Sequence, residues 1–299
     1  MSRSRTIGIF ETLIASIGFG FLGYFGKLWL TTGESINVLL AYRFAIAALL
    51  YFLLVLFFRP RLFKVSLRQL GISAALGILG YSLFATLYFK AIEGLSIALA
   101  SLLLNMHPLI VTILSSMLLG VRISRSHWLA CFVGTGGLAL FLWGEVEIKS
   151  YWAVLAGLGA AMSYATYIVI SSRLQGKDIH PVTSSFYVIL SAAIMLSVIA
   201  QGSPMHILEM SEFGWKVILG MALVSTVIPL TLILSGLQKI KSHESALISM
   251  AEPITASIVS WLLFKDPWNL QKVLGASLIV GAMVTVMLKD LRKSGQPQN

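Results

Sequence analysis

His107 and Glu252 are the residues whose surroundings most invite chemistry. Each precedes a proline inside an apolar stretch: Ser101-Leu-Leu-Leu-Asn105-Met-His107-Pro108-Leu-Ile and Ala246-Leu-Ile-Ser-Met250-Ala-Glu252-Pro253-Ile-Thr. Proline removes a backbone donor and kinks a helix, and an ionisable side chain in hydrocarbon is costly. The two segments stand 145 positions apart, as two copies of one plan would. So placed, His107 and Glu252 could pair with each other, grip a zwitterionic ligand with Asn105 beside them, or pass a proton. The plainer alternative is an interhelical hydrogen bond that holds a bundle together.

Arg43 is the other deep charge, about seven residues and so about 10 Å inside its apolar run. It could snorkel outward along its own helix or hold a carboxylate bidentately. Aromatic side chains could form a wall. Gly77, Tyr81, Phe84 and Tyr88 share one helical face, as do Tyr164 and Tyr167 beside Ser163. Trp261, Tyr24 and Tyr187 are further candidates. Such stripes also arise from ordinary packing, but Tyr81 lies mid-helix, away from the interfacial belts where Tyr gathers. Glu11 sits near a helix end, which suits a solvated or gate-forming role.

The elements that must carry these residues follow from composition. Apolar residues make up 57% of the 299 and charged ones 11%, against about 25% charged in an ordinary soluble domain. The mean hydropathy is +0.87. Ten runs approach the length of about 20 apolar residues that a spanning helix needs. They cover 6–28, 36–58, 68–90, 96–119, 127–144, 151–173, 181–201, 214–237, 243–264 and 270–289. This predicts a polytopic helical membrane protein embedded in a lipid bilayer. The first run is too long for a signal peptide and shows no small-residue cleavage site, so it reads as a retained span. Cys131 is the single cysteine, which excludes a disulfide.

The net charge of +10 is explained by placement, not by nucleic acid. Successive connections put 15 Lys and Arg on one side, from Arg3 and Arg5 through Lys177 to Lys293, and six on the other, among them Lys90 and Lys149. Such asymmetry predicts that both termini are cytoplasmic.

At the same 145-residue interval Ala91 answers Gly236, Leu102 answers Leu247, Ser115 answers Ser260, and Gly136 answers Gly281. Residues 1–146 and 147–299 are therefore expected to be two five-helix repeats. Five is odd, so the second inserts upside down, an arrangement typical of secondary transporters. Small residues recur every four positions at Ala153, Gly157, Ala161 and Ala165, and at Ser277, Gly281 and Thr285. Both stripes suggest close packing within the bundle, or a dimer interface. Pro229 offers a further kink.

These features resemble the EamA-type branch of the drug/metabolite transporter superfamily. Tyr42-Arg43-Phe44-Ala-Ile-Ala-Ala-Leu-Leu is similar to that family's arginine-bearing segment. Leu104-Asn-Met-His-Pro108 and Ser249-Met-Ala-Glu-Pro253 are similar to its proline-containing fourth and ninth helices. The resemblance covers essentially the whole chain. It departs where the family often has Leu-Gly-Glu: Leu119-Gly120-Val121 and Phe264-Lys265-Asp266-Pro267 stand here, so a role carried by those glutamates does not transfer. What the resemblance implies is movement of small molecules, most often export of amino acids or related metabolites.

The expectation is an all-α secondary transporter of the inner membrane, with ten spans in two inverted repeats, exporting amino acids or related compounds by alternating access. Protons or the substrate's own gradient would drive it, and it would work as a monomer or homodimer. The alternative is an uptake permease for a vitamin, nucleoside-like or nucleotide-linked solute. A phosphorylated substrate would want several cations, and Arg43 alone lies deep. No P-loop, His-Glu-x-x-His or Cys/His cluster is present in the sequence, so neither ATP hydrolysis, a metal nor a cofactor is expected. Nothing like Gly-x-Ser-x-Gly supports an embedded hydrolase.

Overall fold

A computed structural model of the chain describes residues 3–95, 97–144, 148, 150–174, 179–200, 210–265 and 267–293. Ser96, Lys149, Lys177, Asp266 and the division between 146 and 147 lie outside the described residues, as do the side chains of Lys289, Arg292 and Lys293. Among the described residues all regular elements are helices, with one isolated backbone bridge between Leu95 and Ile148.

The helices are α1 (Arg3–Leu30), α2 (Ile36–Phe58), α3 (Leu67–Gly94), α4 (Ile97–Leu104 continued by His107–Leu119) and α5 (Arg125–Phe141). There follow α6 (Tyr151–Leu174), α7 (Pro181–Ile199), α8 (Glu212–Leu237), α9 (Ser242–Phe264) and α10 (Leu270–Lys293). Serine starts several of them because its hydroxyl accepts an orphan amide of the first turn. Ser35, Ser124 and Ser211 cap α2, α5 and α8, and Ser66 with Gln69 forms a reciprocal box at α3. His180 Nδ1 accepts from Val182 N–H at 3.3 Å before α7. Partial burial, then the charge of Arg59, holds that imidazole below its usual pKa and so in the neutral form the cap requires.

Nine of these helices, among the described residues, are long and apolar enough to cross a bilayer. The expected span at 127–144 forms α5, which at 17 residues is shorter than the rest. The outer surface is apolar, as a protein dissolved in lipid requires: Phe57, Phe58, Met117 and Trp152 are 75–80% exposed.

Packing pairs the two halves of the chain. α1 lies on α8 and α6 on α3; α4 lies on α6 and α9 on α1; α2 packs on α7 and α5 on α10. Exchanging each helix with its counterpart five places on returns the same set of contacts. The irregularities are paired too. A π turn interrupts α3 at Leu76–Ser82 and α8 at Leu223–Val227. α4 breaks at Asn105–Met106, and α9 at Ser249–Met250. α4 ends at Gly120 with φ 63°, and α9 ends at Lys265 with φ 61°.

Glycine suits the left-handed cap and lysine does not, since its Cβ crowds the backbone there. Lys265→Gly is therefore expected to raise the melting temperature, removing a strain of about 1 kcal/mol; an unchanged or lowered value would argue against strain at that cap.

Small residues set the helix separations. On α6, Ala153, Ala161 and Ala165 are buried and Gly157 meets the Leu103 side chain. α10 differs from the expectation of packing within the bundle. Its buried face on α5 runs through Gly275, Ala276, Ile279, Ala282 and Val286, whereas Ser277, Gly281 and Thr285 are exposed. The Ser277 and Thr285 hydroxyls donate to their own helix at Val273 O and Gly281 O.

Candidate functional site

The prolines of α4 and α9 each follow a break, and each break leaves a carbonyl to be satisfied. Pro108 cannot donate to Leu104 O, nor Pro253 to Ser249 O. His107 Nδ1 lies 3.1 Å from Leu104 O, and the Glu252 backbone N–H donates to Ser249 O at 3.0 Å. A carbonyl only accepts, so Nδ1 carries the proton and the neutral ring presents Nε2 as an acceptor. That Nε2 is buried and makes no hydrogen bond among the described residues. The same holds for Asn105 Oδ1, while its Nδ2 donates to Ser101 O at 2.9 Å. Two unused acceptors thus flank the break in α4.

Glu252 is half-buried at the corresponding break in α9. Its carboxylate makes no ion pair or side-chain hydrogen bond among the described residues, and it does not pair with His107. It lies within electrostatic reach of Arg43, Tyr81, Tyr88 and Tyr164. Arg43 turns inward rather than snorkelling and is 5% exposed. Its Nε donates to Thr226 Oγ1 at 2.7 Å and its Nη2 to Ser225 O at 3.0 Å, both in the π turn of α8. Nη1 makes no hydrogen bond among the described residues.

The aromatic stripe of α3 and that of α6 form one continuous wall. Ring centroids are 4.9 Å apart for Phe84–Tyr164, 5.0 Å for His107–Tyr164, 5.4 Å for Tyr81–Tyr167 and 5.7 Å for Tyr81–Phe84. Tyr164 and Tyr167 stack at 6.3 Å, and Phe44, next to Arg43, meets Tyr81 at 5.6 Å. Tyr88 OH and Ser101 Oγ, 3.1 Å apart, join α3 to α4. Such a wall offers ring faces to a cation or an aromatic group.

Four expected members stand apart. Tyr187 OH donates to Phe63 O at 2.8 Å, and Tyr24 packs on Phe264 with ring centroids 5.9 Å apart. Ser163 borders the wall, but its hydroxyl lies 3.1 Å from Leu79 O and 3.0 Å from Gly80 O, serving the π turn of α3. Trp261 is 51% exposed on the outside of α9. It is nine residues beyond Glu252, and at about 100° per residue it falls on the opposite face. Phe84, Tyr88, Ser225 and Thr226 join the site. The α3 stripe is the sequence signal for Phe84 and Tyr88; for Ser225 and Thr226 the sequence offers only the kink at Pro229 nearby.

The bundle end where α1 begins, here the basic end, is closed beneath this wall. Residues Ser242 to Met250 of α9 are all buried. Ser115 Oγ lies 2.9 Å from Ser242 Oγ, the rings of His127 and His243 are 4.6 Å apart, and Thr12 Oγ1 lies 3.5 Å from Ser245 Oγ. Glu11 receives Lys239 Nζ at 2.7 and 2.6 Å and Ser235 Oγ at 3.0 Å, tying α1 to α8, while Arg5 pairs with Glu244 at 3.4 Å. Towards the other end α9 is half-exposed from Ile254 to Ser257, and Gly23 and Gly26 of α1 face open space. A groove of about 710 Å³ between α2 and α7 is a separate feature: it opens outward and is lined by apolar side chains such as Leu49, Phe52 and Ile194, with Ser197. Its chemistry fits lipid chains.

The EamA-like transporter family matches twice, at residues 6–143 and 151–288. An uncharacterized transporter of Archaeoglobus fulgidus is 27% identical over 212 residues, 69% of this chain and 74% of its own. The pseudopaline exporter CntI of Pseudomonas aeruginosa (strain UCBPP-PA14) is 26% identical over 286 residues, covering 93% of this chain and 95% of its own. A solved crystal structure has a TM-score of 0.82 over 95% of this chain and 98% of that one, and at 17% sequence identity it speaks to the fold.

Proposed function

Because the chain belongs to the EamA-like transporter family, we propose that this membrane transporter carries small amino-acid-like metabolites outward by alternating access. The observation that carries the reading is amphoteric chemistry at one level of the bundle. A partnerless carboxylate on α9 and a free imidazole acceptor on α4 suit an ammonium group. Arg43, with N–H groups left over, suits a carboxylate. The rings between them suit an apolar side chain. Transport outward is favoured by the relative whose printed name is an exporter.

Ten spans in two inverted repeats explain the exchange symmetry of the contacts and the paired breaks. In this reading α5 is the tenth span, since 17 residues remain within the usual spanning range. The excess of Lys and Arg puts the basic end and both termini in the cytoplasm of a cell whose inner membrane holds the protein. Closure at that end and exposure beyond Glu252 correspond to an outward-facing state. Uptake of a vitamin, nucleoside-like or nucleotide-linked solute is the second reading; a phosphate would find a single deep cation.

Purified protein in liposomes is tested by thermal shift with the common amino acids and their decarboxylated amines, then by counterflow. A ligand that binds only the native state raises its melting point. Stabilisation and exchange by an amino acid but not by its amine support the reading. Exchange confined to vitamins or nucleosides overturns it.

The ion pair at the basic end supplies a test of alternating access. Glu11→Gln is expected to speed alkylation of a Ser242→Cys probe, in a Cys131→Ala background, by about fivefold, the effect of losing about 1 kcal/mol from the closed side. Unchanged labelling would remove this pair from gating.

A further inference from the structure

Arg43 also repairs α8. In a regular helix the N–H of residue 229 would donate to Ser225 O, and Pro229 has no N–H. Arg43 reaches across from α2 and donates to that carbonyl at 3.0 Å, with its Nε on the neighbouring Thr226 Oγ1 at 2.7 Å. The Thr226 hydroxyl in turn donates to Met221 O at 3.1 Å. Further along, Tyr51 OH donates to Val227 O at 2.7 Å. α1 presses on the same point: Ser225 Oγ donates to Gly18 O at 2.9 Å, and a Cβ on Gly18 would meet Pro229 Cγ at 2.5 Å. Of the side chains that hold this break, Arg43 is the one within electrostatic reach of Glu252. The matching π turn in α3 is held by a neutral hydroxyl, that of Ser163.

We propose that Arg43 is a positioning residue that holds the break of α8 by supplying the donor that Pro229 removes. The bend of α8 is thereby tied to the wall that faces Glu252. Arginine can do this because its planar fork carries five donors, so that two can serve the backbone and its neighbour while others stay available. The tie stands on geometry alone and holds whichever substrate is carried.

The test is hydrogen–deuterium exchange on the full-length protein in nanodiscs with no ligand added, read at the amides between Leu223 and Thr231. Arg43→Gln is expected to speed exchange there about tenfold, the scale of one lost hydrogen bond to a charged group. Adding Pro229→Ala to that variant returns a backbone N–H and is expected to bring exchange back towards the wild-type rate. A role confined to binding a ligand would show neither effect. Should Arg43→Gln yield no folded protein, Thr226→Val keeps the charge, removes one acceptor and is expected to speed exchange about threefold. Wild-type exchange in Arg43→Gln or in Thr226→Val, or failure of Pro229→Ala to restore it, overturns the proposal. None of these readouts needs a substrate, so a silent counterflow panel bears on the transporter's cargo and leaves the tie to be judged separately.

Discussion

Glutamine in place of Glu252 is expected to lower counterflow by about a hundredfold, the upper range for one hydrogen bond to a charged group, while the protein keeps its helical content and melting point. The two halves of that expectation have different causes. Removing one partner of a buried ion pair leaves the other charge stranded and destabilises the fold. Glu252 makes no ion pair among the described residues, so neutralising it breaks none, and Arg43, the buried charge within its reach, keeps its hydrogen bonds to Ser225 and Thr226. Its carboxylate nevertheless stands at the break of α9, facing the aromatic wall and Arg43. An intramembrane carboxylate without a structural partner is kept at a cost, and transport is the use proposed for it. Retained counterflow with a wild-type pH profile would take Glu252 out of the mechanism. A lowered melting point would instead reveal a structural bond.

The second large effect concerns packing. Gly77→Ala is expected to destabilise the protein by about 3 kcal/mol, the upper range for overpacking a tight contact. A Cβ there would overlap Val188 O and lie 2.9 Å from Ser191 Cβ, where α3 crosses α7. Backbone cannot swing aside as a side-chain tip can. Gly281→Ala is the control: nothing lies within 4 Å of its added Cβ, and alanine gains up to about 1 kcal/mol over glycine within a helix. Thermal melts in one detergent compare them. Equal melting points for the two variants would contradict the close crossing.

Much of this architecture is legible in the sequence because lipid enforces simple rules. Apolar runs of spanning length gave helices at close to their expected limits, and Pro108 and Pro253 marked the breaks in α4 and α9. His107, Glu252, Tyr81, Tyr164 and Tyr167 were legible as site candidates through polarity at mid-span or through helical spacing. What lay beyond the sequence depends on contacts between distant helices. Arg43 could have snorkelled outward; its hydrogen bonds to Ser225 and Thr226 appear only once α2 meets α8. Nothing in Leu76-Gly-Ile-Leu-Gly-Tyr-Ser82 announces a π turn, whereas in α8 Pro229 at least marks the neighbourhood. Trp261 has a suitable side chain, but its helical phase relative to Glu252 sets it on the opposite face, where it is exposed. The Ser277–Thr285 stripe shows the converse: small residues permit close packing without requiring it.

The ion pair of Glu11 and Lys239 has a consequence for the resting protein. In the alternating-access cycle proposed above, two copies of one fold exchanging roles would give inward-facing and outward-facing states of nearly equal free energy. At the 145-residue interval Lys239 corresponds to Gly94, and Glu11 to Ala156. There α3 and α6 meet through Gly94 and Ala153, with no charge at either corresponding position. One side of the degenerate pair therefore carries a bond that the other lacks. A difference of about 1 kcal/mol would tilt the populations by about fivefold, and because the pair is partly buried, salt would level them only in part. In the proposed cycle the duplication would supply two states, and the charged contacts of the basic end would set which of them waits.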